Sequence, residues 1–144
     1  MDTHNMTGLE IVEAYASGDL ATPTLFKAMP IKMVLIEKGY VIFEVTPDQG
    51  HCDFLGKVHS GYAATVLDAA TACATRTMLD VGQTYNTIDL SLKICQTIPR
   101  DSTLIVEAKI VNCGRKLIIA EGTLKDASGF IYAYMTANSI IVKV

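Results

Sequence analysis

A single carboxylate stands inside the most apolar stretch of the chain, where Asp68 is flanked by alanine, threonine, valine and leucine. An ionised aspartate in such surroundings is costly unless a partner or a function compensates for it. Upstream, His59-Ser60-Gly61 opens the same predicted helix, and the backbone N–H groups of Ser60 and Gly61 are expected to be free there. Those donors could polarise a carbonyl or hold an oxyanion. With a base or nucleophile two turns away, the pattern is consistent with acyl chemistry.

Two simpler interpretations of Asp68 are weaker. Aspartates are usually exposed, but the apolar neighbours of Asp68 argue against a solvated position. The only other charged residue between His59 and Leu79 is Arg76. On a helix it lies about 80° round and two turns further on, so a direct ion pair along one face is unfavourable. We therefore interpret Asp68 as a catalytic carboxylate that faces a cleft.

The helix that carries Asp68 is predicted to span residues 60–79 and to be buried on all sides. It is rich in alanine, has no proline and is apolar on nearly every side between Tyr62 and Ala74. Before it, the sequence predicts a capped amphipathic helix, a second helical turn capped by Thr22-Pro23, and a β-hairpin, at residues 7–17, 24–28 and 31–46. Four strand-like runs follow, at residues 86–96, 104–112, 117–126 and 130–142.

This order of elements predicts an α+β fold in which an antiparallel sheet wraps around the central helix, with the last four strands forming a meander. Strands of about ten residues exceed the usual length, so the sheet should be wide and strongly curved. A monomer would cover the edges of such a sheet only thinly, which favours self-association.

Composition and charge restrict the class of function. The 144 residues are 50% hydrophobic and 19% charged, which is typical of one compact domain. The net charge of −3 offers no broad attraction for nucleic acid or for an anionic membrane. The four cysteines form no C-x-x-C pair, and the sequence has neither a signal-peptide pattern nor an apolar run of membrane-span length. We therefore predict a cytoplasmic protein with free thiols.

The stretch G-x-x-H-S-G-x-x-x-x-x-x-D, residues 56–68, together with the N-terminal helices, the hairpin and the closing strands, resembles the hotdog-fold thioesterases of the phenylacetate-degradation (PaaI-like) type. The resemblance covers essentially the whole chain. It implies one hotdog domain over residues 1–144, with a helical N-terminal segment at 7–28. It also implies hydrolysis of an acyl-coenzyme A thioester between two subunits of a homodimer or homotetramer. No metal or prosthetic group is implied, and coenzyme A is part of the substrate.

The family pattern H-G-G-x-x-x-x-x-x-D implies a role for each matching residue. Asp68 would act as base for water or as nucleophile, and the N–H of Ser60 would help to bind the thioester oxygen. His59 would support the loop and the thioester end, with Gly61 beside it in the motif. Thr87, at the start of the strand after the helix, would position water. One subunit would supply Asp68 and Thr87, and the other would supply the loop.

Two departures from the pattern leave a second function open. Asp53 stands where many relatives have asparagine, and if it shared a pocket with Asp68 their repulsion would raise at least one pKa. Ser60 replaces a glycine, which keeps the backbone donor but narrows the approach to it. The alternative is a hotdog protein that binds acyl-CoA without hydrolysing it. A hotdog dehydratase ranks last, because His59 lies at the wrong end of the helix to pair with Asp68.

Four further candidates have ordinary structural explanations. Tyr62 and Met33 could line an acyl pocket or simply pack in the core. Arg115 and Lys116 fall at a predicted hairpin turn, where they could meet coenzyme A phosphates or remain solvated.

Metal or thiol chemistry is not predicted. Cys73 lies among small apolar residues, where a buried, inert thiol is the default. The remaining cluster matches no standard spacing of metal ligands, and it consists of His51, Cys52, Asp53 and His59.

Overall fold

The computed structural model describes residues 2–144 as one six-stranded antiparallel sheet wrapped around a long helix. The N-terminal elements are α1 (Gly8–Ser17), α2 (Leu25–Ala28), β1 (Ile31–Glu37) and β2 (Tyr40–Val45). The central helix and the later strands are α3 (Ser60–Arg76), β3 (Gln83–Ile94), β4 (Leu104–Cys113), β5 (Leu117–Lys125) and β6 (Ile131–Lys143). The predicted α+β hotdog arrangement is confirmed. No helix within residues 2–144 is long and apolar enough to cross a membrane.

The strand order is β1-β2-β4-β5-β6-β3, which corrects the predicted four-stranded meander. Strands β4, β5 and β6 do form a meander, but β3 pairs with β6 and not with β4. The connection from β3 to β4, residues 95–103, is too long for a tight hairpin turn and contains Pro99.

Helix α3 packs against strands β2 to β6. Gly122 on β5 permits the close approach, since a Cβ there would lie 3.2 Å from side-chain carbons of both Leu67 and Thr71. The side chains that face the sheet are buried, and they include Ala63, Val66, Leu67, Ala70 and Ala74. The opposite face, which carries Asp68, is only half-buried. The prediction of burial on all sides is therefore wrong, because α1 and α2 cover that face incompletely and leave a cavity beside it.

The N-terminal helices follow the predicted pattern with one exception. In α1 the Thr7 hydroxyl accepts a hydrogen bond from the Glu10 N–H at 3.3 Å, and the Glu10 carboxylate accepts one from the Thr7 N–H at 2.7 Å. Gly18 ends the helix in the left-handed conformation, with φ of 85°. The N-cap of α2 is Thr24, which makes no side-chain capping bond, so the predicted cap at Thr22 is wrong.

Strand β3 forms one edge of the sheet. It is irregular between Thr87 and Asp89, and several of its apolar side chains are exposed, namely Ile88, Leu90 and Ile94. A strand of 12 residues with an open edge and exposed apolar side chains is a ready surface for pairing with another chain. This geometry is the basis for the subunit pairing proposed below.

Gly8 anchors α1 on the end of α3, and its replacement by alanine should destabilise the protein. Its N–H donates to the Leu79 carbonyl at 2.9 Å, and an added Cβ would lie 1.7 Å from the Arg76 carbonyl oxygen. The chain turns sharply at this point, so α3 ends at Arg76 and not at the predicted Leu79.

Backbone must move to admit the methyl group, so Gly8→Ala should lower the free energy of unfolding by about 2 kcal/mol or more. Urea denaturation measures this change. Gly114→Ala is the matched control, because a Cβ at this turn glycine meets its nearest atom at an ordinary 3.4 Å. Equal stability of the two variants would contradict the assigned contact.

Candidate active site

The start of α3 is organised by the His59 side chain. His59 is the N-cap residue, and its Nδ1 accepts a hydrogen bond from the Gly61 N–H at 2.8 Å. The His59 carbonyl accepts from the Tyr62 N–H at 2.9 Å. The expectation that both helix-start donors are free is therefore wrong for Gly61. The Ser60 N–H has no acceptor within residues 2–144, so it is the donor that stays open to a ligand.

Gly61 has a steric role that the motif alone does not reveal. A Cβ at this position would lie 2.9 Å from His59 Nδ1 and 3.2 Å from its Cε1. The imidazole therefore packs over a site that only glycine leaves open. Glycine at this position allows histidine to cap the helix, and the cap in turn leaves the Ser60 N–H as the exposed donor.

Asp68 lies on the half-buried face of α3 and lines a cavity of about 200 Å³. Burial alone raises the pKa of its carboxyl group above the ordinary value of 3.8, and no hydrogen bond within the described residues opposes this effect. A carboxylate that is partly desolvated and lacks donors is a stronger base than an exposed one. Asp68 therefore has the electrostatic character expected of a general base or a nucleophile.

The walls of this cavity, which we call the Asp68 pocket, come from four elements. Helix α3 contributes small side chains, α1 and α2 contribute aromatic and apolar ones, and β3 contributes a tyrosine: Ala69, Ala72, Tyr15, Leu25, Phe26 and Tyr85. Cys73 also lines the pocket, and burial raises the pKa of its thiol to about 12, so it remains protonated as predicted for an inert core cysteine. Arg76 also lines the pocket, two helical turns beyond Asp68, with its guanidinium 5.1 Å from the centre of the Tyr85 ring.

Thr87 lies next to the Asp68 pocket on the same strand as Tyr85. Side chains two residues apart share one face of a strand, and the pairing of β3 with β6 is regular from Gln83 to Thr87. Because Tyr85 faces the pocket, Thr87 faces the same side, further along the strand. It is exposed and lies opposite Ser139 of β6, where a hydroxyl can be reached by a ligand.

Asp53 is separated from Asp68 within one chain. Its carboxylate accepts hydrogen bonds from the N–H groups of Leu55 and Lys57, at 2.9 and 3.0 Å, and so holds the loop before α3. It lines a different groove, together with Ser60 and Lys57. The two carboxylates do not share a pocket in the monomer, so the anticipated repulsion between them does not arise there.

The predicted substrate-binding residues occupy three different environments. Tyr62 is 3% exposed and packs in the core, with its ring 4.8 Å from that of His51, although it also lines a cavity of about 300 Å³ at the helix start. Met33 is half-buried on β1 and packs against the edge of the core. Arg115 and Lys116 are exposed at the turn between β4 and β5.

The charged turn lies at the same end of the sheet as Thr87. The strand registers place Cys113, Ile118, Ser139 and Thr87 in one row across β4, β5, β6 and β3. Arg115 and Lys116 follow shortly after the first of these residues. Their charges are therefore within the neighbourhood of the strand that borders the Asp68 pocket.

His51 lies near the site, and the sequence did not predict its contacts. Its Nε2 lies 2.9 Å from the Ala28 carbonyl, and its Nδ1 accepts from the Asp48 N–H at 3.0 Å. With both ring nitrogens hydrogen-bonded, this histidine connects α2 to the loop before α3. It thereby holds the helix that contributes Leu25 and Phe26 to the wall of the Asp68 pocket. No local pattern in the sequence signals a contact between residues 23 positions apart. No cluster able to hold a metal ion occurs within residues 2–144.

The sequence profile of the thioesterase superfamily matches residues 55–130, which are more than half of the chain. The protein therefore belongs to the thioesterase superfamily. The matched segment contains the whole of α3 with Asp68, the strand with Thr87, and the turn with Arg115 and Lys116. No functionally curated protein matches the sequence.

Solved structures share the fold at low identity. A thioesterase family protein from Silicibacter pomeroyi superposes with a TM-score of 0.81 at 19% identity, covering 92% of this chain and 99% of that one. The E. coli PaaI protein of the phenylacetic acid degradation operon superposes with a TM-score of 0.81 at 14% identity, covering 94% of this chain and 96% of that one. A Streptococcus mutans protein bound to acetyl CoA has a TM-score of 0.76 at 21% identity, and the match covers 86% of this chain and 96% of that one. These structures confirm the predicted hotdog fold, and the profile match confirms the predicted thioesterase family at the level of the superfamily.

The raised pKa of Asp68 predicts a pH-dependent effect of Asp68→Asn on stability. A folded-state pKa above 3.8 means that the folded protein retains a proton at pH values where the unfolded chain has lost it. Wild-type stability should therefore fall as the pH rises from about 3.8 through the folded-state pKa. The amide introduced by the substitution cannot titrate, so the stability of the variant relative to wild type should increase over the same interval.

Denaturant unfolding of both proteins across that pH range measures the effect. Asp80→Asn, at an exposed acid beyond the end of α3, is the matched control. A difference between wild type and Asp68→Asn that stays constant with pH would contradict a desolvated Asp68.

Proposed function

We propose that the protein hydrolyses an acyl-coenzyme A thioester to a carboxylic acid and free coenzyme A. The observation that carries this proposal is the half-buried Asp68 carboxylate, which lacks a donor within the described residues and faces a pocket in a member of the thioesterase superfamily. Asp68 takes a proton from water as the water oxygen attacks the thioester carbon. Alternatively, Asp68 attacks that carbon itself to form a mixed anhydride, which water then hydrolyses to release the acid and restore the carboxylate. In either route the C–S bond breaks, and coenzyme A leaves as the thiol after protonation.

The Ser60 N–H is the proposed donor to the thioester oxygen. It has no acceptor within residues 2–144, and it lies at the positive end of α3. An oxyanion develops on this oxygen in the transition state, so a fixed donor there lowers the barrier. His59 and Gly61 hold this helix start in place, and Thr87 positions the attacking water.

The complete site is proposed to form between two copies of the chain. On α3, Ser60 and Asp68 lie about 12 Å apart along the axis and about 80° apart around it, so one carbonyl cannot meet both in a single chain. The open edge of β3 offers the surface for pairing with a second copy. We infer a homodimer, or a homotetramer of paired dimers, in which one subunit supplies Asp68 and Thr87 and the other supplies the loop with Ser60.

The bound acetyl CoA of the Streptococcus mutans protein supports an acyl-CoA ligand here. Arg115 and Lys116 are exposed at the end of the sheet near Thr87, where their charges can meet coenzyme A phosphates. The reaction needs neither a metal nor a prosthetic group, because Asp68 and a backbone donor supply the base and the electrophilic assistance. All four cysteines are free thiols, which supports a reducing, cytoplasmic location.

Loss of the Asp68 carboxylate should abolish turnover without unfolding the protein. Asp68→Ala removes the base or nucleophile, so kcat for the best substrate of an acyl-CoA panel should fall by at least about 100-fold. Thiol release from the panel measures this change, and Asp80→Ala is the exposed control with unchanged activity. Wild-type activity in Asp68→Ala would overturn the assignment, whereas coenzyme A binding without turnover in wild type would identify a non-catalytic binding protein.

A proline substitution can delete the Ser60 donor alone. Ser60 is the first residue of α3, a position that tolerates proline, and His59 has the extended backbone (φ −64°, ψ 140°) that a following proline requires. Ser60→Pro should therefore fold normally and lower kcat by about 100-fold or more.

Ser60→Ala is the matched control for this prediction. It removes the hydroxyl but keeps the N–H, so it should retain most activity. Equal losses in the two variants would show that the side chain, and not the backbone donor, contributes to the reaction. Circular dichroism confirms that both variants keep the helix.

A further inference from the structure

Arg76 places a positive charge in the same pocket as the Asp68 carboxylate. Both residues line this pocket, and eight helical positions separate their Cα atoms by about 12 Å along the axis. Helical side chains lean toward the N-terminus of their helix, so the long Arg76 side chain leans toward Asp68. The pocket therefore contains a carboxylate and, two helical turns further along α3, a guanidinium.

The guanidinium has no carboxylate partner among the described residues. The salt bridges that lysine or arginine forms within residues 2–144 involve Arg100, Lys109 and Lys125. Arg76 is half-buried, and its guanidinium lies beside Tyr85, 5.1 Å from the ring centre. It also lines a second cavity on its other side, with Gln83 and Val144. Such stacking recovers only part of what a guanidinium loses when it leaves water. The charge is thus available to an anionic group that enters the pocket.

The space between the two charges suits an extended apolar chain. Ala69 and Ala72 of α3 have small side chains that leave space beside the helix, and Leu25 and Phe26 of α2 line the same space. Asp68 is the only acid that lines the pocket, so no other protein carboxylate competes for Arg76 there. A ligand that is reactive at one end, apolar in the middle and anionic at the other end matches these walls.

We propose that the pocket selects acyl groups that end in a carboxylate, which are the coenzyme A monothioesters of short dicarboxylic acids. This inference rests on the proposed thioesterase function. The thioester carbon lies at Asp68, the methylene chain passes Ala69 and Ala72, and the terminal carboxylate meets the Arg76 guanidinium. Guanidinium and carboxylate form paired, charge-assisted hydrogen bonds, so Arg76 determines specificity without taking part in bond cleavage.

Adipoyl-CoA and hexanoyl-CoA form a matched pair of probes, since they differ in a terminal carboxylate and a methyl group. Wild type should show a kcat/KM at least about tenfold higher for adipoyl-CoA. Arg76→Met keeps an unbranched side chain and removes the guanidinium charge. The variant should lose this preference because its KM for adipoyl-CoA rises. Its kcat/KM for hexanoyl-CoA should stay equal to that of wild type or increase. Arg76→Lys should retain part of the preference.

Binding measurements separate this inference from the proposed reaction. Calorimetry with Asp68→Asn, which should not turn over, should show tighter binding of adipoyl-CoA than of hexanoyl-CoA, and the further change Arg76→Met should remove the difference. If the probes bind with this preference but wild type hydrolyses neither of them, the thioesterase proposal is refuted, and the role of Arg76 in binding the terminal carboxylate is retained. Equal affinity for the two probes, or binding of neither, would overturn the inference.

A purely structural role for Arg76 predicts a different pattern. In that case Arg76→Met and Tyr85→Leu would both lower the thermal midpoint, and neither would change the ratio of the two substrates. If Arg76→Met does not fold, Arg76→Gln supplies the same comparison, because it keeps polarity and removes the charge. An unchanged adipoyl to hexanoyl ratio in the folded variant would contradict the proposal.

Discussion

The close packing of α3 against the concave face of the sheet is the contact on which the rest of the structure depends. Gly122 permits this approach, because any larger residue would press on Leu67 and Thr71. Alanines on the buried face keep the helix axis near the strands, and dispersion and burial of apolar surface stabilise the contact. The sheet can cover only one side of a helix. The side that carries Asp68 is therefore left for α1, α2 and any second subunit to cover.

That division is the reason for proposing that the complete site forms between two chains. The helix directs its first free N–H and its carboxylate to different sides, and the rigid helical geometry prevents them from converging on one carbonyl. The N-terminal helices add walls to the pocket but no oxyanion donor. Gly8 fixes α1 on the end of α3, and His51 fixes α2 on the loop before it. Both anchors hold the helices that line the Asp68 pocket. In the proposed dimer, the partner would approach along the exposed edge of β3.

The two departures from the family motif acquire a physical meaning. Asp53 uses its carboxylate as an acceptor for two N–H groups of its own loop, and an asparagine side-chain oxygen can accept in the same way. Aspartate at this position is therefore compatible with the same loop, and it need not abolish turnover. Ser60 is the first residue of α3, and its exposed side chain leaves the backbone donor accessible. Both replacements preserve the hydrogen bonds on which the helix start depends.

The sequence by itself determined the elements, since capping and hydrophobic periodicity act over a few residues, and it singled out Asp68 as the one acid in an apolar helix. It predicted the capping box of Thr7 and Glu10, the start of α3 and the hotdog fold with little error. Only the tertiary structure decided that β3 pairs with β6, and that the His59 ring accepts the hydrogen bond from the Gly61 N–H. It also decided that Asp53 and Asp68 line different pockets within one chain. Strand order and the lining of a pocket depend on contacts between residues distant in sequence. The stacking of Arg76 on Tyr85 is one such contact, and no local pattern could reveal it.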